Sequence, residues 1–378
     1  MASIVYAMCG EGRGHATRAR TVVEALRVRH QVTCFAAHSA YEMLDRHYGS
    51  TDVRVVRIPG LQFGYKRPGQ VDLLRTLGLA ARFRWEVGRY VDAVLPELNR
   101  ARPDLVIVDF EPIVARAARR LGVPFVSFDH QHFLVVSDLS ALQFWIRQQA
   151  NLAAPFVRAL YEWRPSATIV SSFYKAPLKD AHRDAVWVGT LIRPELTSIR
   201  PAHGAHLVAY MRRHASAKTL AALASAGREV RVYGLGARPA EGSLRFFAID
   251  ERRFIDDLAG CHAVVSTAGN QLVGEALFMR KPLLVMPEPW NFEQAVNAHF
   301  LEQSGAGWAE RGRLTPRRLG AFIEAVSALR TNIRPESAFG NDAAVATLEH
   351  HIGGTRTSVP LRPPRVAPTA SIAARQWA

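Results

Sequence analysis

Residues 263–277, AVVSTAGNQLVGEAL, are the stretch of this chain that decides its fold. The apolar residues 263–266 predict a short buried β-strand, and a helix is predicted directly after it. The connection consists of small residues, including Ser266, Thr267 and Gly269, so an anionic group can approach the free amides at the start of the helix. The segment therefore predicts a strand–loop–helix unit that can hold a diphosphate.

Three polar side chains downstream are placed to contact sugar hydroxyls. Glu275 lies one to two turns into the helix, where a carboxylate can accept both hydroxyls of a ribose. Glu293 and Gln294 open a later helix and suit the hydroxyls of a second sugar. Two plainer interpretations stay open, namely that Glu275 pairs with Arg280 and that Glu293 is only a favourable charge at a helix start.

A glycine-rich loop, GEGRGH over residues 10–15, follows the first predicted strand and opens a helix. Its spacing differs from the dinucleotide fingerprint G-x-G-x-x-G, and the second strand, 31–36, does not end in an acidic residue. The chain contains no G-x-x-x-x-G-K-[ST] sequence, which excludes a P-loop nucleotide site. The loop favours an anion site of another kind, with a structural turn as the alternative.

His15 lies in the first turn of that helix, at the sheet edge where open α/β sheets bind ligands. An imidazole there can take a proton from a substrate hydroxyl. Asp109 ends the apolar run 105–108 at the same edge, and it is predicted to orient and charge-stabilise His15. The alternatives are that His15 bonds the loop backbone and that Asp109 caps the helix that begins at Pro112.

Continuously apolar strands alternate with helical segments through both halves of the chain, which is typical of buried parallel sheets. We therefore predict an α/β protein with two Rossmann-like, doubly wound domains that face a central cleft. The predicted parts are an N-terminal, acceptor-side domain (1–188), a linker (189–204) and a C-terminal domain that binds the donor (205–335). A helix returning to the N-terminal domain (336–352) and a disordered basic tail (353–378) follow.

The composition narrows the class of protein further. The chain has 378 residues, of which 48% are hydrophobic, so it can bury a sizeable core and wholesale disorder is excluded. It has no apolar run approaching the roughly 18 residues of a membrane span, and its N-terminus does not have the pattern of a signal peptide. Three scattered cysteines fit a reducing compartment, so a cytoplasmic location is expected.

The net charge of +15 has several possible explanations. Nucleic acid, an anionic membrane face or an anionic substrate would each account for it. Only five of the 48 cationic side chains are lysine, an imbalance that arginine-biased coding also produces. Interleaved basic and aromatic strands and a zinc framework are both missing from the sequence, so no nucleic-acid partner is predicted.

The order of these motifs resembles the donor half of GT-B glycosyltransferases. It is similar to the UDP-glycosyltransferase superfamily and to the bacterial N-acetylglucosaminyltransferase that completes lipid II. The resemblance is strongest to the family 1/28-like glycosyltransferases of bacteria and archaea. The pattern G-x-G-x-G-H-x-x-R from Gly10 to Arg18 and the sequence VGTLIRP over residues 188–194 match as well, so the resemblance covers residues 1–330. It implies a hexosyltransferase of GT-B architecture.

The resemblance also implies a role for each matching residue. His15 would be the general base and Asp109 its support. On the donor side, Phe254 and Ile255 would contact the nucleobase through backbone groups, and Glu275 would bind the ribose. The residues that would hold the diphosphate are Ser266, Thr267, Gly269, Asn270 and Arg193, and Gly12 and Gly14 would leave room for it. Glu293 and Gln294 would bind the donor sugar. Thr267 stands where many plant-type members have a phosphate-contacting histidine, which leaves more charge neutralisation to amides and Arg193.

The acceptor side is less determined. Glu111, His130 and His132 follow predicted strand ends and are the candidate acceptor-side residues. The sequence His130-Gln131-His132 invites a metal interpretation, but no third ligand is placed nearby, so we predict no metal ligand. No Asp-x-Asp motif occurs, which disfavours the metal-dependent glycosyltransferase fold.

We therefore expect a metal-independent, inverting direct displacement from a nucleotide sugar, with a UDP-sugar as co-substrate and no cofactor. The acceptor would be a hydroxyl of a small molecule or a lipid-linked molecule. The basic and apolar segments 75–85 and 142–163 allow peripheral contact with an anionic membrane, and ordinary packing helices are the plainer alternative. A nucleotide-sugar epimerase on the same fold and a non-catalytic sugar-nucleotide-binding protein are the rival functions.

Overall fold

The computed structural model describes residues 1–10, 13–60, 65–67, 70–71, 73–160, 165–212, 215–289 and 291–357. Two seven-stranded sheets organise the chain. The N-terminal elements are β1 (Ser3–Met8), α1 (Arg13–Leu26), β2 (Gln31–Ala36), α2 (His38–Tyr48), β3 (Arg54–Arg57), β4 (Tyr65–Arg67), β5 (Gln70–Val71), α3 (Leu73–Ala101), β6 (Leu105–Asp109), α4 (Pro112–Arg120), β7 (Phe125–Asp129), α5 (Phe133–Val136), α6 (Phe144–Leu160), β8 (Ala167–Ser171) and β9 (Val186–Val188), with a 3₁₀ turn at Asp180–His182.

The C-terminal elements build the second sheet and a returning helix. They are α7 (Pro194–Thr197), β10 (Leu207–Tyr210), α8 (Ala217–Ala224), β11 (Val230–Tyr233), β12 (Arg238–Glu241), β13 (Leu244–Phe247), α9 (Glu251–Gly260), β14 (Ala263–Ser266), α10 (Asn270–Phe278), β15 (Leu283–Val285), α11 (Phe292–Gln303), β16 (Gly307–Ala309), α12 (Pro316–Thr331), α13 (Pro335–Ala338) and α14 (Asn341–Thr357).

Both sheets are doubly wound around their first strand. The N-terminal order is β3-β2-β1-β6-β7-β8-β9, all parallel, and the C-terminal order is β12-β13-β11-β10-β14-β15-β16, parallel except for β12. The strand order reverses between β1 and β6 and again between β10 and β14, and ligands bind outside the strand ends at such points. The predicted α/β architecture of two doubly wound sheets is confirmed.

Helices cover both faces of each sheet, which explains the continuously apolar strands. All residues of β6, β7 and β14 are buried. Strand side chains alternate between two hydrophobic clusters in each half, one on either face, as expected for a parallel sheet buried on both sides.

Two stretches of backbone connect the halves and lie side by side. The first leaves β9 at Gly189 and the second enters α14 at Gly340, and Thr190 and Phe339 form a parallel bridge. A Cβ on Gly340 would lie 2.1 Å from the oxygen of Gly189, so the glycines permit this close approach. Asn341 bonds both backbone groups of Ile192, which locks the two stretches together.

The C-terminal helix packs on the N-terminal half. Ala344, Leu348 and Ile352 of α14 lie in the same cluster as the core of α1 and β1. The helix runs from Asn341 to Thr357, so the boundary predicted at 352 is too early, and the first residues of the predicted tail are helical. Residues 358–378 lie outside the described part of the chain.

Candidate active site

A histidine–aspartate dyad lies where the N-terminal sheet reverses its strand order. His15 is in the first turn of α1, directly after β1, and Asp109 is the last residue of the neighbouring β6. The two side chains are buried, and His15 Nδ1 lies 2.8 Å from Asp109 Oδ1. A carboxylate oxygen can only accept, so this contact is a hydrogen bond when Nδ1 carries a proton, and in that neutral tautomer Nε2 holds the free lone pair.

The turn after β6 explains why Asp109 can make this contact. Phe110 has φ of 53°, a left-handed backbone that reverses the chain immediately after the strand. Glu111 then caps α4, because its carboxylate accepts from the amides of Ile113 at 3.0 Å and Val114 at 2.6 Å. The cap is therefore Glu111 and not Asp109, and Glu111 is held within its own helix. Burial raises the pKa of Glu111 to about 7.

Arg18 completes this cluster from the next turn of α1. Its Nε donates to Asp109 Oδ2 at 2.8 Å and its Nη2 donates to Asp109 Oδ1 at 2.6 Å. Burial opposes the charge of Arg18, but the charge and hydrogen bonds of Asp109 raise the pKa of the guanidinium above its ordinary value. The carboxylate of Asp109 is thus shared between an imidazole and an arginine.

The strand–loop–helix unit of the C-terminal sheet faces this dyad. Gly269 is the N-cap residue of α10 and has no side chain to cap the helix, and a Cβ on it would meet no atom of the described residues within 4 Å. A Cβ on Gly14 of α1 would lie 3.6 Å from Gln271 Cβ, so the N-termini of α1 and α10 converge. Helix N-termini favour anions, which fits the expected place of a diphosphate beside Thr267.

Two other residues near the start of α10 make hydrogen bonds to protein atoms. Ser266 is buried, and its hydroxyl donates to the carbonyl oxygen of Thr267 at 2.8 Å. The side chain of Asn270 donates to Ser171 O at 3.1 Å and accepts from Phe173 N at 3.3 Å, both in the N-terminal half. The Asn270 side chain therefore joins the two halves, and the diphosphate role of Asn270 stays a prediction. Gly12 lies outside the described residues.

Glu275 and Arg193, predicted as separate donor ligands, bind each other. Arg193 Nε and Nη2 each donate to one oxygen of Glu275 at 2.8 Å, and Gln271 Nε2 donates to Glu275 Oε1 at 2.9 Å. Glu275 is fully buried. Glu275 therefore does not pair with Arg280, which is exposed.

The arginine–glutamate pair continues into a chain of alternating charges. Arg193 Nη1 donates to Glu251 at 3.0 Å, and Arg20 Nη1 donates to the other oxygen of Glu251 at 2.8 Å. Arg20 also contacts Glu195 at 2.6 Å. Since Arg20 lies on α1, this chain links the dyad's helix to the C-terminal half. No sequence motif indicates a role for Arg20, Glu195 or Glu251, because their partners are distant along the chain.

The two predicted sugar ligands of α11 differ in accessibility. Glu293 is partly exposed, accepts from Gln131 Nε2 at 3.1 Å and lies 4.0 Å from His130 Nε2. Gln294 is buried, and its amide bonds the backbone and carboxylate of Glu288 at 2.8 and 3.2 Å. Gln294 therefore shapes the loop before α11, whereas Glu293 faces the N-terminal half.

The predicted nucleobase pair lies in the N-terminal half of α9. Phe254 and Ile255 are inside α9, where their backbone groups belong to the helix, and both side chains are in the core. Their role in binding a base through backbone groups stays a prediction. Ile249 lies between β13 and α9 and is exposed.

His130 and His132 belong to two separate sets of contacts. His130 Nδ1 lies 3.1 Å from Ser171 O and Nε2 lies 3.0 Å from Asn297 Oδ1, so the ring joins the two halves, and burial lowers the pKa of His130. His132 Nδ1 contacts Asp129 at 2.7 Å. Burial opposes ionisation of Asp129, but the charge and hydrogen bonds of His132 hold its pKa below the ordinary value. Within the described residues, no three His, Cys, Asp or Glu side chains are grouped to hold a metal ion.

Comparison with known families assigns the chain. A model of the family described as "Glycosyl transferase family 1" matches residues 2–327. The chain belongs to glycosyl transferase family 1. An uncharacterized glycosyltransferase of Methanosarcina mazei is 22% identical over 336 residues, which cover 80% of this chain and 84% of that protein. The predicted activity class, a glycosyltransferase, is confirmed.

Solved structures show the same fold for this glycosyltransferase. CalG4, the calicheamicin glycosyltransferase, aligns with a TM-score of 0.65 and 18% identity over 93% of this chain and 98% of its own. UGT2 of Phytolacca americana, complexed with UDP-2-fluoro-glucose and pterostilbene, aligns with a TM-score of 0.66 and 14% identity over 94% and 100%. The GT-B architecture predicted for the chain is therefore confirmed.

Proposed function

We propose that this glycosyltransferase moves a sugar from a UDP-sugar to an acceptor hydroxyl by a metal-independent, inverting single displacement. One observation carries the proposal. His15, which contacts Asp109 at 2.8 Å, lies in the first turn of α1, and the N-terminus of α1 meets the N-terminus of α10, where the N-cap residue is Gly269. A proton acceptor and an anion-binding helix start are therefore adjacent.

The chemistry follows from these two parts. His15 Nε2 removes the proton of the acceptor hydroxyl, and the oxygen attacks the anomeric carbon from the face opposite the diphosphate. The bond between that carbon and the diphosphate oxygen breaks, and the amides at the start of α10 stabilise the leaving charge. A single displacement of this kind inverts the anomeric carbon. Asp109 stabilises the imidazolium that forms.

The donor site requires the Arg193–Glu275 pair to open. On donor binding the diphosphate replaces Glu275 as the partner of Arg193, and Glu275 accepts from the ribose hydroxyls. Thr267 and Gly269 line the diphosphate, Gly14 leaves room for it, and Glu293 contacts the transferred sugar. Support for a nucleoside diphosphate donor comes from UGT2, solved with UDP-2-fluoro-glucose, and from the spinosyn rhamnosyltransferase SpnG, solved with thymidine diphosphate.

A direct test measures UDP release and product formation with a panel of UDP-sugars and hydroxyl acceptors. We expect His15→Ala and Glu275→Ala to lower the transfer rate, whereas His47→Ala, a half-exposed histidine of α2, should leave it unchanged. Unchanged rates in both site variants would contradict the proposal. Conversion of the donor alone, seen by NMR, would indicate an epimerase, and donor binding without turnover would indicate a sensor.

We propose in addition that a lipid-linked acceptor is reached at an anionic membrane surface on the cytoplasmic side. Trp85 of α3 is 90% exposed and Phe144 of α6 is 68% exposed. Arg82, which is exposed, and Arg147, which is partly buried, lie near them in sequence, a mixture that suits a headgroup region. Among the described residues, no helix has the length and apolar character needed to span a membrane.

Vesicle co-sedimentation tests the membrane proposal. We expect binding to vesicles that contain phosphatidylglycerol but not to pure phosphatidylcholine vesicles, and Trp85→Ala should weaken it. Val28→Ala, which removes an equally exposed apolar side chain after α1, is the matched control. Equal loss of binding in both variants would contradict a specific surface, and a small-molecule acceptor would then be favoured.

A further inference from the structure

We infer that Arg18 is a positioning residue that keeps His15 neutral and therefore able to accept a proton. The inference rests on the proposed role of His15 as the base. It concerns a side chain that makes no direct contact with substrate in this scheme and acts only through Asp109 and His15.

The geometry fixes Asp109 from both sides. The guanidinium of Arg18 donates to both carboxylate oxygens, from Nε at 2.8 Å and from Nη2 at 2.6 Å. The oxygen Oδ1, which Nη2 contacts, is also the one that faces His15 Nδ1 at 2.8 Å. The fork therefore sets the plane of the carboxylate, and the carboxylate sets the ring orientation and tautomer of His15.

The charges explain why an arginine matters here. Arg18 Nη2 lies 3.1 Å from His15 Nδ1, and both atoms are buried, so the fixed positive charge opposes a second proton on the ring. Asp109 alone would favour the imidazolium, and Arg18 balances that attraction. Other titratable groups around the cluster are Tyr6 on β1 and Asp129 on β7, which both act on Arg18.

A purely structural role does not account for this arrangement. A buried ion pair is about as stabilising as a well-packed apolar pair of similar volume, since desolvation offsets the attraction. The same space could be filled by aliphatic side chains from α1 and β6. What apolar side chains cannot do is hold a neutral imidazole beside a carboxylate.

The experiment follows the His15 ring by NMR as pH is changed, with His15→Gln used to assign the signal. In Arg18→Met the titration midpoint of the His15 ring should rise by about 1–2 pH units. The transfer rate near pH 7 should fall about 10–100-fold and recover near pH 9, where the ring is neutral again. Arg18→Lys retains the charge, so its midpoint should stay close to that of the unmodified protein.

The double variant Arg18→Met with Asp109→Asn removes both charges, so the midpoint should return toward that of the unmodified protein. If Arg18→Met does not fold, Arg18→Gln replaces it, because glutamine keeps a hydrogen-bond donor without the charge. A midpoint unchanged in a folded, uncharged variant would overturn the inference. The ring titration needs no turnover, so failure of the proposed glycosyl transfer would be visible separately as inactive unmodified protein.

Discussion

Two buried arginine–carboxylate pairs, Arg18–Asp109 and Arg193–Glu275, have nearly the same fork geometry and different surroundings. Asp109 is shared with an imidazole, and all three side chains of that cluster lie in the N-terminal half. Arg193 lies between the halves and also contacts Glu251, which is partly exposed. Under the proposed function, the first pair serves proton transfer, whereas the second exchanges partners with the donor.

The largest expected effect comes from removing the base of the first pair. His15→Ala should lower kcat by about 10²–10⁴, because proton transfer to a positioned base is lost. The KM for the donor should change little, because His15 does not belong to the second pair. Steady-state kinetics with varied donor measure this split. A large rise in donor KM at unchanged kcat would show that His15 binds the donor instead.

Breaking the second pair from the arginine side should lower the stability of the unliganded protein as well as donor binding. Arg193→Met leaves Glu275 buried without its cation, so the free energy of unfolding should fall by about 3–5 kcal/mol. Urea denaturation of the unliganded protein measures this change. Arg183→Met, an exposed arginine of the 3₁₀ turn, is the control and should have no measurable effect. Equal stability of the two variants would contradict a buried, paired Glu275.

Neutralising the carboxylate of the second pair should weaken donor binding more than it lowers stability. Glu275→Gln keeps an acceptor for Arg193 but weakens hydrogen bonds to ribose hydroxyls, so donor KM should rise about 10-fold with kcat nearly unchanged. Glu324→Gln, an exposed position within α12, is the matched control. If kcat fell and KM stayed constant, Glu275 would belong with the catalytic dyad.

The smallest effect concerns the turn that carries Asp109. The pKa of Glu111 is raised to about 7 in the folded protein, so the folded state binds a proton more tightly than the unfolded state. The stability linked to that proton is full below the ordinary glutamate pKa and is lost as pH rises through about 7. Relative to Glu111→Gln, the unmodified protein should therefore lose stability from pH 5 to pH 8.

Thermal unfolding at several pH values would measure this difference, and parallel pH profiles for the two proteins would contradict it. The cap itself should contribute about 1 kcal/mol to the free energy of unfolding. A result near that value would show that the dyad tolerates a weaker turn.

The sequence led to the fold and to the dyad because both depend on local order. A residue that ends a buried parallel strand must lie at one sheet edge, so His15 and Asp109 could be placed together from spacing alone. The uncapped start of α10 followed from Gly269 in the same way. In these cases the backbone direction at a strand end determines where the side chain lies.

The remaining site depends on partners that are distant along the chain. Asn270 has the expected position, but its side chain bonds Ser171, 99 residues away. Arg193 and Glu275 are 82 residues apart, and no local pattern shows that they neutralise each other. Pairs of side chains that join the two halves can be found only from the tertiary structure.

The paired backbone stretches at Gly189 and Gly340 limit how the two halves can move. A single tether would allow rotation in any direction, whereas two stretches bonded to each other leave one main bending axis. Because α14 is packed into the N-terminal core, it must travel with that half during any such bend. In any such bend α1 would move with the N-terminal half and α10 with the C-terminal half, so the bend would set the distance between His15 and the start of α10.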